Sequence, residues 1–210
     1  MNAYEIIPLD DFQMLTHNHL STRDYADDRL KTKHRLVNTF KSVSKEYSKF
    51  LESLLPKEDQ KYRWVFEFNY SYSSVHSHSD NNYDDTMGMS CKRVLIIPID
   101  WSETMKASTI LFNQVASEKV FRNPDGLCTT LNKEKYNLDL DFSSKLCDEE
   151  LIEYGLNPEY RKEYYGLTVM YNYVWSNDHA LIFNSENLHT SNSYDKPEYK
   201  LSINGLGFDV

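Results

Sequence analysis

Cysteine is scarce in this chain: three in 210 residues, Cys91, Cys128 and Cys147. The count is odd and no C-x-x-C occurs, which argues against a disulfide framework or a zinc knuckle. Reduced thiols in a cytoplasmic protein are the expectation. Long apolar runs are missing as well. No window approaches the roughly eighteen apolar residues that a membrane helix needs, so no membrane association is expected. The opening MNAYEIIPLDDF has neither a basic start nor an apolar run, and no secretory signal is expected. Positive charge is in deficit, with 23 Lys and Arg against 32 Asp and Glu and a net charge of −9. Generic binding to a phosphate backbone relies on clustered cations, so nucleic acid is not an expected partner. Internal repeats, low-complexity tracts and βαβ alternation are also absent.

What is present suits a β-rich core. Hydrophobic residues make up 40% and aromatics 14% of the chain, with sixteen tyrosines, and aromatic side chains fit a pleated, half-buried surface. AYEIIPL near the start reads as a strand. Leu36, Phe40, Val43, Tyr47, Phe50 and Leu54 recur at steps of four and three, which predicts one or two amphipathic helices. Ser21 and Asp24 offer a capping box at their start, and Pro56 an end. From residue 62 the texture turns to strand. YRWVFEFNYSYSSV alternates, and KRVLIIPID, ASTILFNQ, LTVMYNYVW, HALIFN and YKLSINGLGF follow. Helices first and strands afterwards predict an antiparallel sandwich or barrel. Residues 1–60 are read as an N-terminal strand and helical support. Residues 61–210 are read as the β domain, interrupted by an insertion at about 113–165. That insertion carries an NPDG turn, a short helix in CDEELIEYG closed by Gly155, and NPEYRKEYY, where Asn157 can cap and Pro158 can open a helical turn.

Two of the seven histidines and a carboxylate fall in VHSHSD, residues 75–80. The stretch follows a strand, so successive side chains point to opposite faces, and His78 and Asp80 share one. His76 joins them if the extension is perfect. Three ligands from five consecutive residues crowd one ion, so a partner from elsewhere is preferred for His78 and Asp80. His189, after HALIFN and a turn, is the candidate. Eleven residues later Lys200 and Ser202 share a face of the last strand. A lysine among core residues needs an anion or an exposed edge. HNH at 17–19 lacks an acidic or cysteine partner and is not read as a second metal site.

Together these pieces resemble the Fe(II)- and 2-oxoglutarate-dependent dioxygenases. In that family H-x-D is followed by a distal His and, about ten residues on, by a basic residue, any residue and Ser. Here the pattern runs HSD at 78–80, His189 and KLS at 200–202. KRVLIIPID, ASTILF and WSNDHALIFNSENLH match the neighbouring strands in order, so the resemblance spans about residues 62–208. Two features depart from the pattern. Lys200 stands where Arg is usual, a point charge in place of a planar fork, and Ala107 and Ser108 stand where the family has two glycines.

The resemblance implies a double-stranded β-helix, the cupin-like jelly roll. It implies Fe(II) held by His78, Asp80 and His189, with 2-oxoglutarate as cosubstrate and O2 as oxidant. Two imidazoles and one carboxylate on one face of an octahedron suit non-heme Fe(II). The implied reaction is hydroxylation of an unidentified substrate, with release of succinate and CO2. Lys200 and Ser202 would bind the far carboxylate of 2-oxoglutarate. Tyr70 and Tyr72 are candidates to assist by position, and the polar loop at 81–90 is an expected lid over the site. The alternatives are a cupin-like metal protein that does not use 2-oxoglutarate and a catalytically silent interaction module. A nucleic-acid demethylase is disfavoured because no second arginine follows KLS. Sixteen lysines to seven arginines hint at an AT-rich genome of the viral kind.

Overall fold

Alternation along the strands builds the architecture. In a computed structural model of the chain, residues 3–9, 38–71, 77–80, 90–118, 120–122, 128–130, 139–140, 145–194 and 198–209 are described. The expected capping box at Ser21, the NPDG turn, His76, Tyr72 and the loop at 81–89 lie outside them. The described residues form eleven strands: β1 (Tyr4–Pro8), β2 (Asn38–Ser42), β3 (Arg63–Ser71), β4 (Cys91–Trp101), β5 (Ser108–Val115), β6 (Val120–Arg122), β7 (Cys128–Thr130), β8 (Val169–Val174), β9 (His179–Asn184), β10 (Asn187–Ser191) and β11 (Lys200–Phe208). A large sheet has the order β1-β9-β4-β11-β3-β2 and a small one the order β10-β5-β8. Every pairing within them is antiparallel. β6 and β7 form a separate hairpin. Two antiparallel sheets face to face make the expected jelly roll.

Each face of the large sheet has its own apolar set. Trp64, Phe66, Phe68 and Tyr70 of β3 alternate with Val65, Glu67, Asn69 and Ser71. The aromatic parity joins Leu95, Ile97, Ile99, Ala180, Ile182, Leu201 and Ile203 on the outer face. Helix α1 (Lys45–Leu54) covers that face with Tyr47 and Leu51. Gly205 and Gly207 lie under the aromatic rings. A methyl group at either would stand 2.8 Å from Phe66 or 2.9 Å from Trp64, so these positions need the bare backbone. Leu51 is wholly buried, and truncation to Ala would cost about 2–5 kcal/mol.

The described part of the predicted helical stretch divides between a strand and a helix. Residues 38–42 pair with β3 as an edge strand, and the helix begins only at Lys45. Ser44 caps it by accepting from the Tyr47 amide at 3.2 Å. Strand pairing with β3 overrides the local spacing of Phe40 and Val43, because a nearby sheet edge offers backbone partners that periodicity does not register.

The inner faces of the two sheets meet over Val94, Ile96, Leu111, Tyr173, Trp175, Leu181, Phe183 and Tyr194. The outer face of the small sheet is covered by the segment between β5 and β8. It contains β6, β7, helix α2 (Asp148–Glu153) and a 3-10 helix (Pro158–Tyr164). Leu151, Leu156, Tyr164 and Val120 pack there against Ile110, Phe112 and Leu188. Gly155 closes α2 at φ +72°, and the Asn157 side chain caps the 3-10 helix by accepting from the Glu159 amide at 2.9 Å. A buried ion pair ties the loop after α1 to the large sheet. Arg93 reaches Asp59 from Nε at 2.8 Å and from Nη2 at 3.3 Å, and Nη1 donates to Asn184. Among the described residues no helix is long and apolar enough to cross a membrane.

Candidate metal centre

The H-x-D segment is docked by its backbone onto the distal histidine. The His78 amide donates to the His189 carbonyl at 3.0 Å, and the His189 amide donates back to His78 at 2.8 Å. On its other side His189 pairs with Leu111 of β5. The Asp80 amide donates at 2.9 Å to the carbonyl of Ser185 in the turn between β9 and β10. That turn is pinned in its own right, since the Ser185 hydroxyl donates to the Cys91 carbonyl at 2.6 Å. Strand alternation then turns His78 and Asp80 to one side, as their spacing predicts.

Residues 111 positions apart in sequence thus converge. One ligand atom from each of His78, Asp80 and His189 lies within 4.8 Å of the others. Nε2 of His189 is 3.3 Å from Asp80 Oδ2, and Nε2 of His78 is 3.8 Å from Asp80 Oδ1. The imidazole centroids are 4.2 Å apart. The His189 ring also meets the edge of Phe183 at 4.8 Å. Its Nδ1 is 3.2 Å from the carbonyl of Asn187. A carbonyl can only accept, so Nδ1 carries the proton and the Nε2 lone pair faces the carboxylate. The His78 and Asp80 side chains remain 15% and 13% exposed, so the centre is reachable from outside.

Lys200 stands on the same interior. It opens the central strand β11 opposite Ser71 of β3 and Trp101 of β4, and its side chain crosses to the small sheet. Nζ donates to the Ser108 carbonyl of β5 at 2.6 Å. It also lies 4.7 Å from the Trp175 ring centroid and 5.2 Å from that of Tyr194, near enough for both rings to favour a cation. Both rings are fixed: the Trp175 indole donates to Thr109 at 3.0 Å and the Tyr194 hydroxyl to Ser71 at 2.7 Å. Among the described residues no carboxylate lies within ion-pair reach of Lys200. Burial therefore holds its ammonium well below the ordinary lysine range. Ser108, which accepts from Lys200, is three residues before the partner of His189, about 10 Å of strand at 3.4 Å per residue.

Ser202 is buried on the Lys200 parity and donates to Asn204 at 2.8 Å. Its register partner on β3 is Asn69, whose Oδ1 is buried without a hydrogen bond. Tyr70 does not join them. Its register partner is Leu201, and its ring lies on the outer face in the cluster with α1, stacked on Tyr199 at 5.4 Å. The strand's parity, with aromatic residues outward, puts Asn69 and Ser71 where the tyrosine was expected. The sequence reading also missed Trp175 and Tyr194 as the walls around Lys200. Their only local signal is that large aromatic residues flank two strand ends.

No family model and no curated protein matches the chain. Solved structures do resemble it. A prolyl-4-hydroxylase from Pseudomonas putida superposes with a TM-score of 0.53 at 9% identity, covering 99% of this chain and 92% of that one. SnoN, a non-heme alpha ketoglutarate dependent epimerase from nogalamycin biosynthesis, gives 0.52 at 10% identity over 99% and 78%. SnoK, a carbocyclase of the same dependence and pathway, gives 0.52 at 8% identity over 99% and 79%. At such identities the likeness is one of fold: the chain shares the jelly-roll architecture of the hydroxylase, the epimerase and the carbocyclase.

Proposed function

We propose that the protein is an Fe(II)- and 2-oxoglutarate-dependent oxygenase that hydroxylates a substrate still to be identified. The observation that carries the reading is Lys200: a buried ammonium without a carboxylate partner among the described residues, on the interior onto which His78, Asp80 and His189 converge. The donor set fits the metal, since two imidazole nitrogens and one carboxylate oxygen from adjacent segments leave further coordination positions open. Lys200 fits the cosubstrate, since a buried cation is costly until an anion meets it. A metal centre without 2-oxoglutarate would leave that cost unexplained. The SnoN and SnoK structures are described as alpha ketoglutarate dependent, which agrees with this assignment.

When bound, the metal would supply O2 activation coupled to oxidative decarboxylation of 2-oxoglutarate to succinate and CO2. The chain's own groups bind and orient. His189 presents Nε2 because Asn187 holds Nδ1–H. Lys200 would take the far carboxylate of the cosubstrate, with the Ser202 hydroxyl turning from Asn204 to donate to it. Trp175 and Tyr194 keep water from the ammonium, and exclusion of water strengthens the pairing. The open Oδ1 of Asn69 lies on the same parity and can accept a donor from a bound molecule.

The test needs no knowledge of the substrate. Under anaerobic conditions Fe(II) and 2-oxoglutarate together should give a weak visible charge-transfer band. In air the protein should release succinate slowly. A protein that binds the metal yet shows neither band nor succinate is a cupin-like metal protein instead, and the reading fails.

A further inference from the structure

In the 77–80 segment the serines do as much as the ligands. His78 and Asp80 face the centre, while Ser77 and Ser79 are fully buried on the opposite side. Ser79 is seated at the start of β6. Its amide donates to the Val120 carbonyl at 3.1 Å, its hydroxyl accepts from the Val120 amide at 3.1 Å, and the same hydroxyl donates to the Glu118 carbonyl at 3.1 Å. Ser77 is seated on a side chain. Oε1 of Glu163, at the end of the 3-10 helix, accepts from the Ser77 amide at 2.5 Å and from its hydroxyl at 2.8 Å. Glu163 is itself fully buried, 86 residues away in sequence.

A carboxylate taken wholly out of water is expensive unless hydrogen bonds answer it. Here two donors come from the residue immediately before a metal ligand. We propose that Glu163 is a positioning residue for the metal centre, holding the backbone entry to His78 through Ser77 so that the imidazole meets Asp80 and His189. The segment between β5 and β8 thereby becomes the back wall of the site. β6 and the 3-10 helix grip Ser79 and Ser77, and β10 grips His78, so the ligand-bearing turn is fixed from both sides before any ion arrives. Ligands pre-set by outer partners bind metal more tightly, and loss of such a partner commonly weakens affinity by about 10–100-fold.

This inference rests on the metal reading above, and the experiment separates the two. Mn(II) or Co(II) affinity is measured by titration of the purified full chain, well below each variant's melting temperature, alongside thermal unfolding of the metal-free protein. Glu163→Leu should weaken metal binding about tenfold. Glu163→Gln should stay within about threefold of wild type, because both Ser77 bonds end on one oxygen and an amide oxygen can accept them. Ser77→Ala keeps the amide donor and loses the hydroxyl, so it should fall between. If Glu163→Leu does not fold, the Ser77→Ala and Glu163→Gln pair decides the matter. Unchanged affinity in Ser77→Ala and Glu163→Leu, with only a lowered melting temperature, would show Glu163 to be structural and overturn the proposal. No metal binding by the wild type overturns the proposed function itself, and this inference with it.

Discussion

The two ends of the interior handle charge in opposite ways. At the metal end, Asp80 lies between two imidazoles, all three remain in mutual contact, and the segment is partly open to water. At the lysine end, one ammonium is sealed behind Trp175 and Tyr194 against the Ser108 carbonyl. The first end is assembled by folding from segments far apart in sequence and presents lone pairs to a cation. The second comes from one residue on one strand and presents a cation to an anion. A buried amine with no anion among the described residues points to an anionic ligand more directly than a tidy cluster does, because an anion offsets the cost of burying the ammonium.

The sharpest way to break this comparison is to disable one end and read the other. His189→Ala should abolish the charge-transfer band and lower metal affinity by more than about 100-fold, since it removes a ligand outright while keeping the backbone pairing with His78. Melting temperature should move little. Lys200→Met should do the reverse. Metal binding should persist, while 2-oxoglutarate affinity falls at least tenfold, on the order of a lost charge-assisted hydrogen bond. The metal-free protein should be as stable as wild type or more so, because replacing an uncompensated buried charge by an apolar chain of similar size is commonly neutral or stabilising. A destabilised Lys200→Met protein would mean that the lysine is structural.

Protonation offers a finer probe. Burial lowers the folded Lys200 value from its ordinary 10.5, so the unfolded chain binds the proton more readily. Stability of the ligand-free protein should then rise with pH between that lowered value and 10.5. A carboxylate ligand favours the ammonium, so 2-oxoglutarate should bind with uptake of a proton in that window. Calorimetric titrations in buffers of different ionisation enthalpy would detect it, and equal heats in all buffers would count against it. The smallest effect concerns the two faces of β3. Asn69→Ala should weaken 2-oxoglutarate binding a few-fold, by about the worth of one hydrogen bond from the side-chain N–H to a carboxylate. Tyr70→Phe, on the far face, should leave it within twofold. Equal effects would blur the distinction between the faces.

The strands and the shared face of His78 and Asp80 were legible because a period of two fixes which side chains share a face, while the jelly roll and the convergence with His189 came from the resemblance to the dioxygenase pattern. The same rule, applied through β3, already favoured Asn69 over Tyr70: Trp64, Phe66, Phe68 and Tyr70 form one apolar parity, and a polar site belongs to the other. Sequence proximity to the metal motif suggested the tyrosine instead. β2 was illegible because an edge strand depends on its neighbour, and the spacing of Phe40 and Val43 also fits a helix. Glu163 was illegible for a stronger reason. Among many surface glutamates nothing local marks the one whose partner lies 86 residues away.

The double use of the 77–80 segment limits how this stretch can drift. Its letters can change while each face keeps its role, but its length cannot. Inserting or deleting one residue between Ser77 and Asp80 would turn a serine toward the ion and a ligand into the wall behind. Descendants of this chain should therefore vary here by substitution and gain or lose residues elsewhere.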